Sequence, residues 1–212
     1  MTRLPIVCYF IHYMESLFIS KTYFINKLRE KRIALFSLSD IKKLFGIENV
    51  NTLKHLLRRL KNAKIIKRLI KNKYLFLQSK NEPGDFEIAN FLVIPSYISL
   101  ESALSYYGII DQFSYHISSI ILNKPRKFKV DEKTFIYSKI NKGYFRDFIK
   151  MDSFLIASKE KALFDYCYFI YKGLRSLNVL DDIKVYLNMP VFLKYFKINA
   201  QGKFRNFLTK YA

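Results

Sequence analysis

Residues 51–62, NTLKHLLRRLKN, constrain the fold of this chain more than any other stretch. Leu53, Leu56, Leu57 and Leu60 recur at three- and four-residue intervals and so share one helical face. Asn51, Lys54, His55, Arg58, Arg59 and Lys61 are left on the other. A helix that is leucine on one side and basic or amide on the other can dock on a small core while offering donors to a DNA groove.

The flanks narrow the reading. Upstream, Ser39 is placed to cap a short helix in which Ile41 and Leu44 stand three apart, and Phe45-Gly46-Ile47-Glu48 supplies a turn with glycine where that helix should stop. The order is helix, tight turn, helix. Downstream, residues 65–70 and 74–77 are β-prone runs separated by Lys71-Asn72-Lys73, which predicts a hairpin with a cationic tip. Residues 16–31 carry Leu17, Phe18, Phe24, Ile25 and Leu28 at helix-compatible spacing, and residues 33–36 read as a short strand able to pair with the hairpin. Residues 1–80 are therefore expected to form a winged helix-turn-helix centred on 36–77. A plain amphipathic helix with a solvated charged face, followed by an ordinary hairpin, would show part of the same pattern.

Charge follows that division. Residues 1–80 hold 18 Lys and Arg against 4 Asp and Glu, and residues 81–212 hold 19 against 13, so the positive excess lies with the basic helix. That implies a polyanionic partner. Bulk charge alone decides little, because the chain is rich in Lys, Ile, Asn, Phe and Tyr and lacks Trp, as AT-rich coding would produce.

Cys8 and Cys167 are far apart and belong to no paired motif, which argues against a disulfide scaffold and for a reducing cytoplasm. No apolar run approaches the roughly 20 residues of a membrane helix, so no membrane association is expected. The first twenty residues are interrupted by His12 and Glu15, lack a small-residue cleavage site and do not read as a signal peptide. Met14 offers an alternative start, which sets residues 1–15 apart as an extension.

Residues 79–85, SKNEPGD, are polar with a Pro-Gly pair; the linker is placed at 81–85, and 86–212 is expected to be a second domain. It opens with a helix over 86–93. Pro95 then breaks the chain, and Ser99 caps a second helix that Gly108 ends. β-like runs follow at 118–122, 128–130, 134–140 and 154–157. Ser158 caps a helix whose Ala162, Leu163, Tyr166, Cys167 and Ile170 predict a buried stripe, and 182–187, 191–196 and 204–211 read as closing helices. The fold class expected for the whole chain is α+β: a winged helix-turn-helix followed by a mixed α+β domain, a small sheet with packed helices.

Pro95-Ser96-Tyr97-Ile98-Ser99-Leu100-Glu101-Ser102-Ala103-Leu104, continuing to Tyr107-Gly108-Ile109-Ile110, resembles the signature of the AbiEi-like antitoxins of type IV toxin-antitoxin systems. Ala157-Ser158-Lys159-Glu160-Lys161-Ala162-Leu163-Phe164-Asp165 resembles a second block of that family, in which the position of Ser158 is often proline. The resemblance covers roughly residues 20 to 200. It implies a winged helix-turn-helix that represses the protein's own operon and a C-terminal domain that antagonises a nucleotidyltransferase-like toxin encoded beside it, with direct contact left open.

Without any family, the two blocks read as structure: Ser99 and Ser158 are N-caps, each contributing roughly 1 kcal/mol, and Tyr97, Tyr106 and Tyr107 need hydroxyl partners if buried. Glu101, Glu160, Lys161 and Asp165 are the charges in this framework that need partners, and with Tyr97 and Ser99 they are the candidates for the second domain's function. Glu160 lies near a helix N-terminus, where the helix dipole already favours it.

Constellations for catalysis are thin. His12, His55 and His116 are scattered without metal-site spacing, the glycines form no phosphate loop, and no serine elbow is present. Asp131, Glu132 and Lys133, with Asp165, could be assembled into a nuclease-like set, but 131–133 fit a solvated turn better. Neither an enzyme nor a cofactor is expected. The favoured expectation is a DNA-binding repressor: Asn51, Thr52, Lys54 and His55 at base edges, and Arg58, Arg59, Lys67, Arg68, Lys71 and Lys73 on phosphate, two copies suiting a palindromic operator. The alternative is a protein-interaction module that keeps the helix-turn-helix as a scaffold.

Overall fold

A computed structural model describes residues 19–111, 116–176, 180–187 and 189–209. The 1–15 extension, Cys8 and His12 lie outside the described residues. The chain is mixed α+β and divides into two compact units, 1–84 and 85–212.

Unit 1 runs α1 (Lys21–Glu30), β1 (Leu35–Ser37), α2 (Leu38–Phe45), α3 (Val50–Asn62), β2 (Ile66–Ile70) and β3 (Lys73–Phe76). Its strands form an antiparallel sheet in the order β1-β3-β2, with Leu35 opposite Leu75 and Ile66 opposite Phe76. The expected pairing of the upstream strand with the hairpin is present. The helix α2 is capped by Ser37, not Ser39: Ser37 Oγ accepts from Asp40 N while Asp40 Oδ2 accepts from Ser37 N, a capping box. Gly46 stops α2 at φ 63, the left-handed conformation glycine adopts without a Cβ penalty, and Ile47 N returns to Lys42 O at 3.1 Å. Asn49 then caps α3, its Oδ1 accepting from Asn51 N and Thr52 N at 2.8 and 3.2 Å.

Leu53, Leu56, Leu57 and Leu60 face inward and join Phe24, Leu28, Phe36, Ile41, Ile47, Ile66 and Phe76 in one core. Phe24 stacks on Phe45 at 5.0 Å and meets Phe36 edge-on. Each fully buried leucine contributes roughly 1.5–3 kcal/mol.

Unit 2 contains α4 (Asp85–Leu92), β4 (Ser96–Ile98), α5 (Leu100–Tyr106), β5 (His116–Ile121), β6 (Arg126–Val130), β7 (Lys133–Lys139), a 3-10 turn (Lys142–Tyr144), β8 (Phe148–Met151), β9 (Phe154–Ala157), α6 (Lys159–Tyr171), α7 (Leu180–Leu187), α8 (Pro190–Asn199) and α9 (Gly202–Leu208). The six strands lie in the order β6-β7-β5-β4-β9-β8; β5 with β7 and β4 with β9 are parallel, and the rest antiparallel. Two of these strands were not expected from the sequence. The strand β4 is three residues long and wholly buried, so it shows no alternation, and β8 is a short outer strand.

The sheet is covered on both faces. Tyr137 donates to Ala89 O of α4 at 2.7 Å, while Tyr97, opposite Ile120, meets α6 on the other side. The helix α6 departs from the expected stripe, since every residue from Lys161 to Ile170 is buried. It lies between α5, the sheet, α8 and α9, and a helix packed on every side has no solvent face to keep polar.

Candidate functional site

In unit 1 the solvent side of α3 carries Asn51, Lys54, His55, Arg58, Arg59 and Lys61, all exposed, with Thr52 half-buried in the first turn. Residues 51, 54, 55 and 58 repeat at helical spacing and form one stripe opposite the leucine seam. From 36 to 77 there are eleven Lys and Arg against Asp40 and Glu48. Asp40 is engaged in the cap and Glu48, though exposed, pairs with Lys42 at 2.9 Å, so both carboxylates of this stretch have partners away from the stripe.

The side chain of Arg59 does something the sequence did not suggest. Its Nη2 donates to the carbonyl of Ile19 at 3.2 Å, holding the chain ahead of α1 against α3. The guanidinium thus has a structural bond within the unit while the residue stays exposed. Arg58, one residue earlier, is exposed.

The hairpin is tight. Lys71 and Asn72 form its turn, with Asn72 at φ 63, and Lys73 already belongs to β3. The ladder is irregular between Arg68 and Ile70, where Arg68 Nε donates to Ile70 O at 3.3 Å. Lys71 and Arg68 are exposed, whereas Lys67 and Lys73 are half-buried. Asn72 O accepts from Leu38 N at 2.9 Å, so the tip is tied to the first residue of α2.

In unit 2 four of the six candidates converge. The Lys161 ammonium contacts Asp165 Oδ1, while Tyr97 and Ser99 donate to Asp165 Oδ2 at 3.0 and 2.8 Å. All four are buried. The Lys161 nitrogen also lies over the Tyr97 and Phe164 rings at 5.6 and 5.3 Å. Burial pushes the Asp165 carboxyl up, opposed by Lys161 and the two hydroxyls; burial, reinforced by Asp165, pushes the Tyr97 phenol up. A carboxylate with both oxygens satisfied inside a sealed core cross-links β4 to α6 and offers nothing to a ligand.

Ser99 therefore does not cap α5. Leu100 takes φ 55, a left-handed conformation costing roughly 1–2 kcal/mol for a residue with a side chain. The turn leaves Ser99 Oγ on Asp165 rather than on α5's first N–H groups. Ser158 does cap α6, accepting from Lys161 N at 3.2 Å. Glu101 stands apart from the cluster: Ser118 donates to its Oε2 at 2.9 Å and Arg175 to its Oε1 at 2.5 Å. Glu160 is half-buried in α6's first turn and joins neither group. Ser118 and Arg175 carried no signal in the sequence, because their partner lies 17 and 74 residues away.

The nuclease-like set is not assembled. Asp131 and Glu132 form the exposed β6–β7 turn and Lys133 pairs with Asp85, whereas Asp165 is enclosed. Among the described residues no group of three or more His, Cys, Asp or Glu could hold a metal ion, and no helix is long and apolar enough to cross a membrane. No family model and no curated protein matches the chain.

Proposed function

We propose that the chain is a DNA-binding transcriptional repressor that serves as the antitoxin of a type IV, AbiE-like operon, repressing its own promoter and antagonising a nucleotidyltransferase-like toxin. The observation that carries the DNA half is α3: its leucines are buried to the last one while its amide and basic side chains stand in solvent, with eleven Lys and Arg over 36–77 against only Asp40 and Glu48. The order α1-β1-α2-α3-β2-β3, with strands stacked β1-β3-β2, is what a winged helix-turn-helix requires and supports that reading of unit 1. Asn51, Thr52, Lys54 and His55 are then the base readers, and Arg58, Arg59, Lys67, Arg68, Lys71 and Lys73 hold phosphate. The antitoxin half rests on the two sequence blocks that resemble the AbiEi-like family.

The test is a gel-shift titration of the full chain on the DNA upstream of its own gene, against random competitor, at low and moderate salt. Preferential retention of the upstream DNA, falling steeply with salt, supports repression; equal retention of both, or none, overturns it. Co-expression with the adjacent toxin tests the second half.

The hairpin favours one other reading. Its two-residue turn is bonded back to α2, and Arg59 Nη2 is bonded to the carbonyl of Ile19. Both suit a protein-interaction module that keeps this scaffold without gripping DNA, and failure to bind the upstream DNA at low salt would select it.

A further inference from the structure

The strand β6 is an outer strand of the sheet in unit 2, bonded to β7 along one side and, among the described residues, to no strand along the other. Arg126, Lys127 and Lys129 are exposed along it and Lys124 just before it, and among the described residues none of the four has an ion-pair partner. Lys133, across the turn, is the cation that does, taking Asp85.

Lys127 and Lys129 share one face of the strand, opposite Ile136 and Thr134 of β7. Phe128 and Val130 point to the packed face, where the Phe128 ring meets Tyr137 edge-on at 5.8 Å. The cationic face thus has no ring of its own on which a base could stack, which disfavours single-stranded nucleic acid. What the edge does offer is periodic: outward N–H and C=O groups from alternate residues, and two ammonium groups about 6.7 Å apart along the strand. An extended polypeptide with acidic residues two apart matches both repeats. Lysines also deter a second copy of the same edge, so self-pairing is disfavoured.

We propose that β6 is a docking edge for an extended acidic segment of a partner protein, which joins the sheet as a seventh strand. The proposal concerns unit 2 alone and is independent of DNA binding by unit 1. The probe is a fluorescein-labelled peptide of four Glu-Val repeats, added to the full chain and followed by anisotropy and by hydrogen exchange of residues 126–130. Saturable binding with slowed exchange at 126–130 is expected. Lys127→Glu with Lys129→Glu should weaken it about tenfold or more, as should methylating alternate backbone nitrogens of the peptide at unchanged charge. Absence of binding, protection confined to other residues, equal affinity for the methylated peptide, or displacement from 126–130 by an oligothymidylate of equal charge would each overturn it.

Discussion

Lys161 and Asp165, one turn apart on α6, form an ion pair with neither side chain reaching solvent, and Asp165 is also the acceptor that Tyr97 and Ser99 share. Removing one partner strands the other charge in the core. Asp165→Ala should therefore cost about 3–5 kcal/mol in urea unfolding. Lys161→Met combined with Asp165→Asn keeps an acceptor for both hydroxyls and removes both charges, so it should cost clearly less than Asp165→Ala. A double variant no more stable than the single one would show that the charges themselves hold the domain.

The two faces of α3 should separate stability from binding. Leu53→Ala or Leu60→Ala, each at a fully buried position, should destabilise unit 1 by about 2–5 kcal/mol. Arg58→Ala, on the exposed face, should change stability by no more than about 0.5 kcal/mol while weakening DNA retention. Circular dichroism melts and gel shifts on the same preparations check both.

Within the proposed interface, roles should differ by residue. Lys71→Ala with Lys73→Ala should lower affinity for all sequences alike and flatten the salt dependence by about one unit of slope per lost phosphate contact. Asn51→Ala or Lys54→Ala should instead alter sequence preference. Equal losses on specific and random DNA for the latter pair would remove them from the base-reading role.

Gly46 holds the α2–α3 turn at φ 63 with no atom within 4 Å of where a Cβ would stand. Gly46→Ala should thus cost only the backbone conformation, about 1 kcal/mol, seen as a lowered midpoint of unfolding with no loss of helix content.

Burial pushes the Cys167 thiol up to about 12 from an ordinary value of 9.0. A folded-state value above the unfolded one gives stability that is whole below pH 9 and is lost as the pH climbs toward 12, because only the unfolded chain ionises readily. Relative to Cys167→Ala, the native chain should lose about 2 kcal/mol between pH 8 and pH 10.5. Urea midpoints at the two pH values measure it.

Periodicity made part of this legible. Leucines three and four apart announce α3 and its inward face, and Gly46 after Leu44-Phe45 announces the turn, because both signals are local. Ser37 is hidden behind Ser39: the two serines stand either side of Leu38 at the helix start, and only the reciprocal bond with Asp40 decides between them. The strand β4 left no trace, since Ser96, Tyr97 and Ile98 are all enclosed and have no polar alternation to betray a strand. Lys161 and Asp165 read from the sequence as charges in need of partners, without those partners being named. Their burial follows from Tyr97, 68 residues upstream of Asp165, and from helices closing over α6, which no local pattern encodes.

The hydrogen bond from Leu38 to the carbonyl of Asn72 makes the hairpin and the helix pair travel as one piece. A hairpin tied down in this way is shaped before any partner meets it, so ordering it would add little to the entropic cost of the proposed association. The same tie would limit how far the hairpin could follow a groove of the wrong width. For the proposed DNA partner, unit 1 would then act as a preformed template.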